Sequence, residues 1–185
     1  MSPEESNWTK SGEQVVKPAG LAGVLVMKMV VRPDDRGFFA ELFRKDWAEF
    51  FSDEILQANV NVSYPGIVRA WHRHARGQTD YFAVLQGALK ICAYDQGSRG
   101  LVEIIASEQS RTVVRVPGHY LHGTMTVSST PSLVVYLATK LYDYSNPDEE
   151  RLPWNDASVK PVEINGRSDD PRVGQPWDWF YPPHR

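Results

Sequence analysis

Apolar and polar positions alternate along this chain over short stretches that end at glycine or proline. Leu56-Gln57-Ala58-Asn59-Val60-Asn61-Val62-Ser63 alternates strictly, which is the period of a β-strand. Its amide-bearing side is either plain surface or the wall of a ligand cavity. Leu21 to Val31 is apolar and rich in β-branched residues and predicts one or two strands; Phe38 to Phe43 predicts another. Between them, Pro33-Asp34-Asp35-Arg36-Gly37 is a turn by residue type. Tyr81 to Leu85 is a largely buried strand, followed by strands at Leu89–Asp95 and Ser132–Leu137. Leu101–Ala106 and Arg111–Val116 read as a hairpin. The strongest helical pattern is the short Asp46 to Phe51 segment. Residues 1–20 form a polar arm or an edge strand. From Leu141 onward Asp, Asn, Pro and Trp dominate, which predicts a tail wrapping the domain as loops with one short helix. About ten short strands with turns between them predict an all-β sandwich or barrel, built as one domain over residues 1–185.

Composition narrows this picture without changing it. A chain of 185 residues with 42% hydrophobic and 23% charged residues can bury one sizeable core. A net charge of -3 gives no reason to expect a nucleic-acid or membrane surface as partner. No apolar run approaches the roughly 20 residues of a membrane span. The single cysteine, Cys92, excludes an internal disulfide framework, and the polar, acidic N-terminus does not read as a signal peptide. The expected location is therefore the cytoplasm.

Candidate chemistry concentrates in two clusters. His72 and His74 sit two apart in Gly66-Ile67-Val68-Arg69-Ala70-Trp71-His72-Arg73-His74, so on a strand both imidazoles point to one face. Asp80 follows after a short polar turn. His119 and His122 recur in Val116-Pro117-Gly118-His119-Tyr120-Leu121-His122-Gly123. Four of the five histidines thus fall in two short stretches. His119 reads as a turn cap, and Trp71 and Trp154 as core or pocket wall. The aromatic tail Trp177 to Tyr181 needs burial, on its own barrel or on a second subunit.

Several segments, in order, resemble the dTDP-4-dehydrorhamnose 3,5-epimerase family of nucleotide-sugar epimerases, within the cupin superfamily. Asp35-Arg36-Gly37-Phe38-Phe39-Ala40-Glu41 is similar to the family's D-x-R-G-x-F-x-E, and Gln57-x-Asn59-x-Asn61-x-Ser63 to its Q-x-N-x-S-x-S strand. Gly66-x-x-Arg69-x-x-His72 resembles G-x-L-R-G-L-H, and Pro117-x-x-x-x-His122-Gly123 resembles P-x-G-x-x-H-G. Tyr136 stands where the family keeps a tyrosine, and Trp154-Asn155-Asp156 matches its W-[DN]-D. The resemblance implies a cupin jelly-roll β-barrel with short peripheral helices. It also implies a homodimer with a crossing N-terminal strand, and an enzyme of deoxysugar biosynthesis acting on a dTDP-4-keto-6-deoxyhexose without a cofactor. His72 would remove the proton beside the ketone and Tyr136 would return one from the opposite face. Arg36, Phe39, Glu41, Gln57, Asn59, Arg69, His74, Asp80 and His122 would hold the nucleotide-sugar. A carboxylate late in the tail, Asp169 or Asp170, with Asp170 preferred, would orient His72.

At two positions the chain departs from that family. His74 replaces a glutamine, and Asp80 falls in the slot of a lysine whose cation would stabilise the enolate oxygen. Losing one such stabiliser typically costs on the order of 10²–10³ in rate. Either Asp80 is paired or protonated, leaving Arg69, Arg73 or His122 to act, or the reaction differs, or a metal supplies the charge. A metal-dependent cupin using His72, His74, Asp80 and His122 to hold one divalent ion is therefore an alternative, and a non-catalytic sugar-binding cupin is another.

Overall fold

The computed structural model describes residues 9–11 and 14–181. Its strands, in chain order, are β1 (Thr9–Ser11), β2 (Gln14–Pro18), β3 (Leu25–Lys28), β4 (Val31–Asp34), β5 (Gly37–Ala40), β6 (Gln57–Ser63), β7 (Val68–His74) and β8 (Thr79–Gln86). There follow β9 (Ala88–Tyr94), β10 (Gly100–Ser107), β11 (Thr112–Pro117), β12 (Leu121–Thr126), β13 (Ser132–Ala138), β14 (Glu149–Arg151) and β15 (Glu163–Ile164). They form a seven-stranded sheet in the order β1-β2-β3-β11-β8-β13-β6, a six-stranded sheet in the order β14-β7-β12-β9-β10-β15, and the separate ribbon β4-β5. This is the all-β arrangement that the strand pattern predicts, in the jelly-roll form that the resemblance implies.

Three apolar layers hold the sheets. Val26, Val84, Val114, Ile91 and Val102 pack between the two sheets. Met27, Tyr81, Ala83 and Val113 point to the other side of the seven-stranded sheet and are covered by Trp47, Phe50 and Phe51. Trp71, Cys92, Tyr94 and Leu121 point outward from the six-stranded sheet and are covered by Val159, Trp177 and Trp179 from the tail. Strands buried on both faces carry near-continuous apolar runs instead of alternation, which is why Tyr81 to Val84 does not alternate, whereas Leu85 is exposed.

The sequence reading needs correcting in four places. Asp46–Phe51 is not a helix. It is one turn closed by the Phe51 amide on the Trp47 carbonyl at 2.8 Å, and no helix occurs among the described residues, the tail included. Three aromatic residues at helical spacing suffice to cover a sheet in one turn, and a single turn gains too few hydrogen bonds to propagate. Second, β10 and β11 do not pair as a hairpin. Each already has both edges occupied, β10 by β9 and β15, β11 by β3 and β8, so the connection passes between sheets. Third, the turn after Pro33 narrows to Asp35-Arg36, because Pro33 and Asp34 extend β4. Fourth, the strand expected over Phe38–Phe43 ends at Ala40.

The polar N-terminal segment supplies edge strands as far as it is described, and residues 1–8 and 12–13 lie outside the described residues. The tail adds β14 beside β7 and β15 beside β10. Its aromatic end packs on its own chain, with Trp179 4.8 Å from Trp71 between ring centroids and 1% exposed. Trp179→Ala is therefore expected to lower unfolding free energy by about 3–5 kcal/mol, measured by denaturant titration. A change below about 1 kcal/mol would mean that the tail does not hold the outer face of this sheet.

Candidate active site

Along β8 the inward positions Val84, Phe82 and Asp80 run from apolar to ionic, and at that end the two sheets enclose a cavity of about 200 Å³. The seven-stranded sheet lines it with Gln57, Asn59, Asn61 and Ser63 from β6, Asp80 and Phe82 from β8, and Tyr136 from β13. From the six-stranded sheet come Arg69, His72 and His74 on β7 and His122 and Thr124 on β12. Lys140, Tyr142, Asp148 and Arg151 close the mouth. The amide-bearing face of β6 is thus cavity wall, and its apolar face is exposed, with Val60 at 71% and Val62 at 51%.

Strand register explains how these side chains converge. Arg69 and His72 are three apart and would face opposite ways on a regular strand. Pairing of β7 with β12 runs His122↔His72 and then Thr124↔Arg69, so β7 carries one extra residue. That bulge turns both side chains inward. Gly123 makes it possible, because a Cβ there would lie 2.2 Å from the Ala70 Cβ and 2.9 Å from the Arg69 carbonyl oxygen.

Asp80 lies deep in the cavity, 2% exposed. Its Oδ1 accepts a hydrogen bond from the Gln78 amide at 2.8 Å. Its Oδ2 lies 3.3 Å from His74 Nε2 and 3.4 Å from His122 Nε2. Burial opposes ionisation of Asp80, and hydrogen or positive charge at the His122 and His74 positions holds the carboxyl below its ordinary value. His122 Nδ1 is 2.9 Å from the Tyr120 carbonyl oxygen. One potential ligand atom from each of His72, His74, Asp80 and His122 falls within 4.8 Å of the others.

His72 is half-buried, its ring centroid 4.2 Å from that of His122. Burial first, then positive charge at the His122 and His74 positions, lowers its pKa to about 2, so the imidazole is neutral. On the opposite wall, Tyr136 stacks on Phe82 with centroids 5.9 Å apart. Burial, then the charges of Asp80 and Glu149, raise its pKa, so the phenol keeps its proton at neutral pH. Arg69 Nε donates to Ser63 Oγ at 2.8 Å, and Gln57 donates to Asn59 at 2.8 Å.

His72, His74, Asp80, Arg69, His122, Gln57, Asn59 and Tyr136 therefore meet in one cavity. The other expected members do not. Asp170 is bound to Arg172 at 2.9 Å, and Arg172 also pairs with Glu103, so Asp170 braces the tail and does not orient His72. Asp169 pairs with Arg167 on the surface. Arg36, Phe39 and Glu41 lie on or beside the exposed β4-β5 ribbon: Arg36 pairs with Asp34, Glu41 with Arg44, and Phe39 is 61% exposed. Arg73 pairs with Glu150 and does not line the cavity. Trp154 is a surface residue, 45% exposed, and His119 is exposed against Tyr120. Sequence reasoning missed Gln78, Lys140, Tyr142, Asp148 and Arg151. All lie in turns or tail segments, and the pairing of the tail with β7 has no local signal.

An all-β jelly roll with a proton donor and a neutral imidazole on facing walls of one cavity is a scaffold for acid–base chemistry on a bound ligand. Comparison with known proteins gives the class. The family model for dTDP-4-dehydrorhamnose 3,5-epimerase matches residues 18–169. The "Probable low-salt glycan biosynthesis epimerase" of Haloferax volcanii is 39% identical over 71% of this chain and 87% of its own length. Among solved structures, dTDP-6-deoxy-D-glucose-3,5-epimerase from Legionella pneumophila, in complex with dTDP-4-keto-L-rhamnose, aligns with TM-score 0.71 at 21% identity over 84% of this chain and 90% of that one. A 4-keto-6-deoxy sugar epimerase from Streptomyces spheroides aligns with TM-score 0.69 at 25% identity over 91% of this chain and 81% of that one. The chain belongs to the dTDP-4-dehydrorhamnose 3,5-epimerase family, whose members are sugar-nucleotide epimerases.

Gly123→Ala tests the register argument. It is expected to cost about 1–3 kcal/mol of stability by overpacking the bulge, measured by thermal unfolding. It should also lower activity by displacing Arg69 from His72. Wild-type stability would show that the bulge has room for a side chain.

Proposed function

We propose that this chain inverts carbon next to the 4-keto group of a dTDP-4-keto-6-deoxyhexose, with His72 as base and Tyr136 as acid. The observation that carries the reading is that these two groups sit on opposite sheets across one cavity. Inversion needs removal of a proton from one face of the sugar ring and delivery to the other. The C–H bond beside the ketone breaks, its electron pair forms the enolate C=C, and the carbonyl oxygen takes the negative charge. The proton goes to the neutral His72 imidazole. The Tyr136 phenol then gives its proton to the carbon from the other face as the carbonyl re-forms. Imidazolium and phenolate are left, and exchange with water resets both. No electrons leave the substrate, so the transfer itself requires no redox cofactor.

The remaining wall suits the rest of the ligand. Arg69 and Lys140 supply positive charge for a diphosphate, and Gln57 and Asn59 supply amides for hydroxyl groups. Arg36, Phe39 and Glu41 would then reach a cavity only as part of a homodimer, whose exposed apolar surface here is Phe38, Phe39, Val60 and Val62. Residues 1–185 act as one domain in this reading, because the tail completes the sheet that carries His72. A cytoplasmic enzyme of deoxysugar biosynthesis follows from the substrate.

Incubating substrate in heavy water with His72→Ala and Tyr136→Phe separates the two roles. His72→Ala should lose deuterium incorporation by at least about 10²-fold. Tyr136→Phe should retain exchange at the carbon while losing inversion. Full exchange in His72→Ala would remove His72 as the base, and full inversion in Tyr136→Phe would remove Tyr136 as the acid.

A further inference from the structure

We propose that His74, Asp80 and His122 form a binding site for one divalent first-row transition-metal ion, with His72 left beside it as a free imidazole. The argument is a count of protons in a dry place. The Tyr120 carbonyl can only accept, so at 2.9 Å it requires the proton of His122 on Nδ1. Neutral His122 then presents a lone pair at Nε2, which is buried and has no hydrogen-bond partner. On His74 the Gln78 amide nitrogen stands 3.2 Å from Nε2, and an amide nitrogen can only donate, so Nε2 is again a lone pair. His74 Nδ1 faces Asp148 Oδ2 at 3.9 Å, and both atoms are otherwise unpartnered. A carboxylate behind the far ring nitrogen is the usual arrangement for a metal-binding histidine. Gln78 also occupies Asp80 Oδ1, which leaves Oδ2 directed at both Nε2 atoms.

Three lone-pair donors therefore converge with no hydrogen between them, on side chains only 5%, 3% and 1% exposed for His74, Asp80 and His122. Such a set is repulsive unless positive charge enters it. The charge is either a second proton on each ring or a cation. The spacing favours the cation. Ligands about 2.1 Å from one ion stand about 3.0–3.5 Å apart in octahedral or tetrahedral geometry. The N–O separations of 3.3 and 3.4 Å fall in that range, whereas an imidazolium–carboxylate hydrogen bond contracts to about 2.7–2.9 Å. Two imidazoles and one carboxylate suit Zn²⁺, Mn²⁺, Fe²⁺, Co²⁺ or Ni²⁺. His72 lies close to His122, with ring centroids 4.2 Å apart, but Asp80 Oδ2 makes its short contacts with the other two rings. The site does not depend on the epimerase reading. Its role does: the ion would supply positive charge near the developing enolate, where a bare Asp80 has the wrong sign.

The test uses the tag-free full chain, stripped with chelator and dialysed. It is titrated with Zn²⁺ by calorimetry and with Co²⁺ by visible absorption. The expected result is one ion per chain at about micromolar affinity or tighter. His122→Ala and Asp80→Asn should weaken binding by more than about 100-fold, and Asp148→Asn by about tenfold. His72→Ala should keep the ion and the Co²⁺ spectrum while losing deuterium exchange. No binding by the wild type, with both nitrogens of His122 protonated in ¹⁵N NMR, would overturn the site in favour of an imidazolium–carboxylate pair. Undiminished binding in His122→Ala and Asp80→Asn would overturn its location, and loss of the ion in His72→Ala would overturn the free imidazole. Should these variants unfold, the wild-type titration and the imidazole spectrum decide alone. An ion bound without any exchange of substrate protons would sink the catalytic role and leave the site standing.

Discussion

A carboxylate buried where two sheets meet must be neutralised, and much of the cavity is organised by how Asp80 meets that demand. In a low-dielectric interior an unpaired ion of this kind costs several kcal/mol. Two imidazoles, one amide and their own supporting groups are spent around it. The supports come from distant parts of the chain: Gln78 from the turn before β8, Tyr120 from the approach to β12, Asp148 from the tail. The tail must therefore fold back along β7 for the inner cavity to be complete. Its aromatic residues fix that path by packing on Trp71, directly before His72.

The same geometry separates a polar wall from an apolar one within a single cavity. Opposite the histidines, β6 shows its amides inward and its valines outward, the reverse of an ordinary core strand. A strand so oriented gains little from burial against its own core. It makes sense when the inward face holds a polar ligand and the outward face meets something else. The functional reading and the exposed valines are thus two consequences of one register.

Much of this was visible in the sequence, for physical reasons that can be named. Period-two alternation located β6, and the spacing of His72 and His74 located a shared face, because both are properties of one strand. The short apolar runs announced an all-β fold. What could not be read depended on partners far along the chain. Leu101–Ala106 and Arg111–Val116 look like a hairpin until the occupied edges of both strands are known. Asp170 is a reasonable carboxylate for His72 until Arg172, itself anchored on Glu103, claims it. Asp148 carries no local signal at all, and Arg69 shares the cavity with His72 only through a bulge that Gly123 permits.

The central claim is that a bound 4-keto sugar loses a proton to one wall and regains one from the other. Its most direct test is the wild-type protein as purified, incubated with a dTDP-4-keto-6-deoxyhexose in heavy water and followed by NMR. The account predicts deuterium at a carbon next to the ketone, appearing together with inversion at that carbon. Folded protein that binds the nucleotide-sugar and leaves every ring proton in place would contradict it.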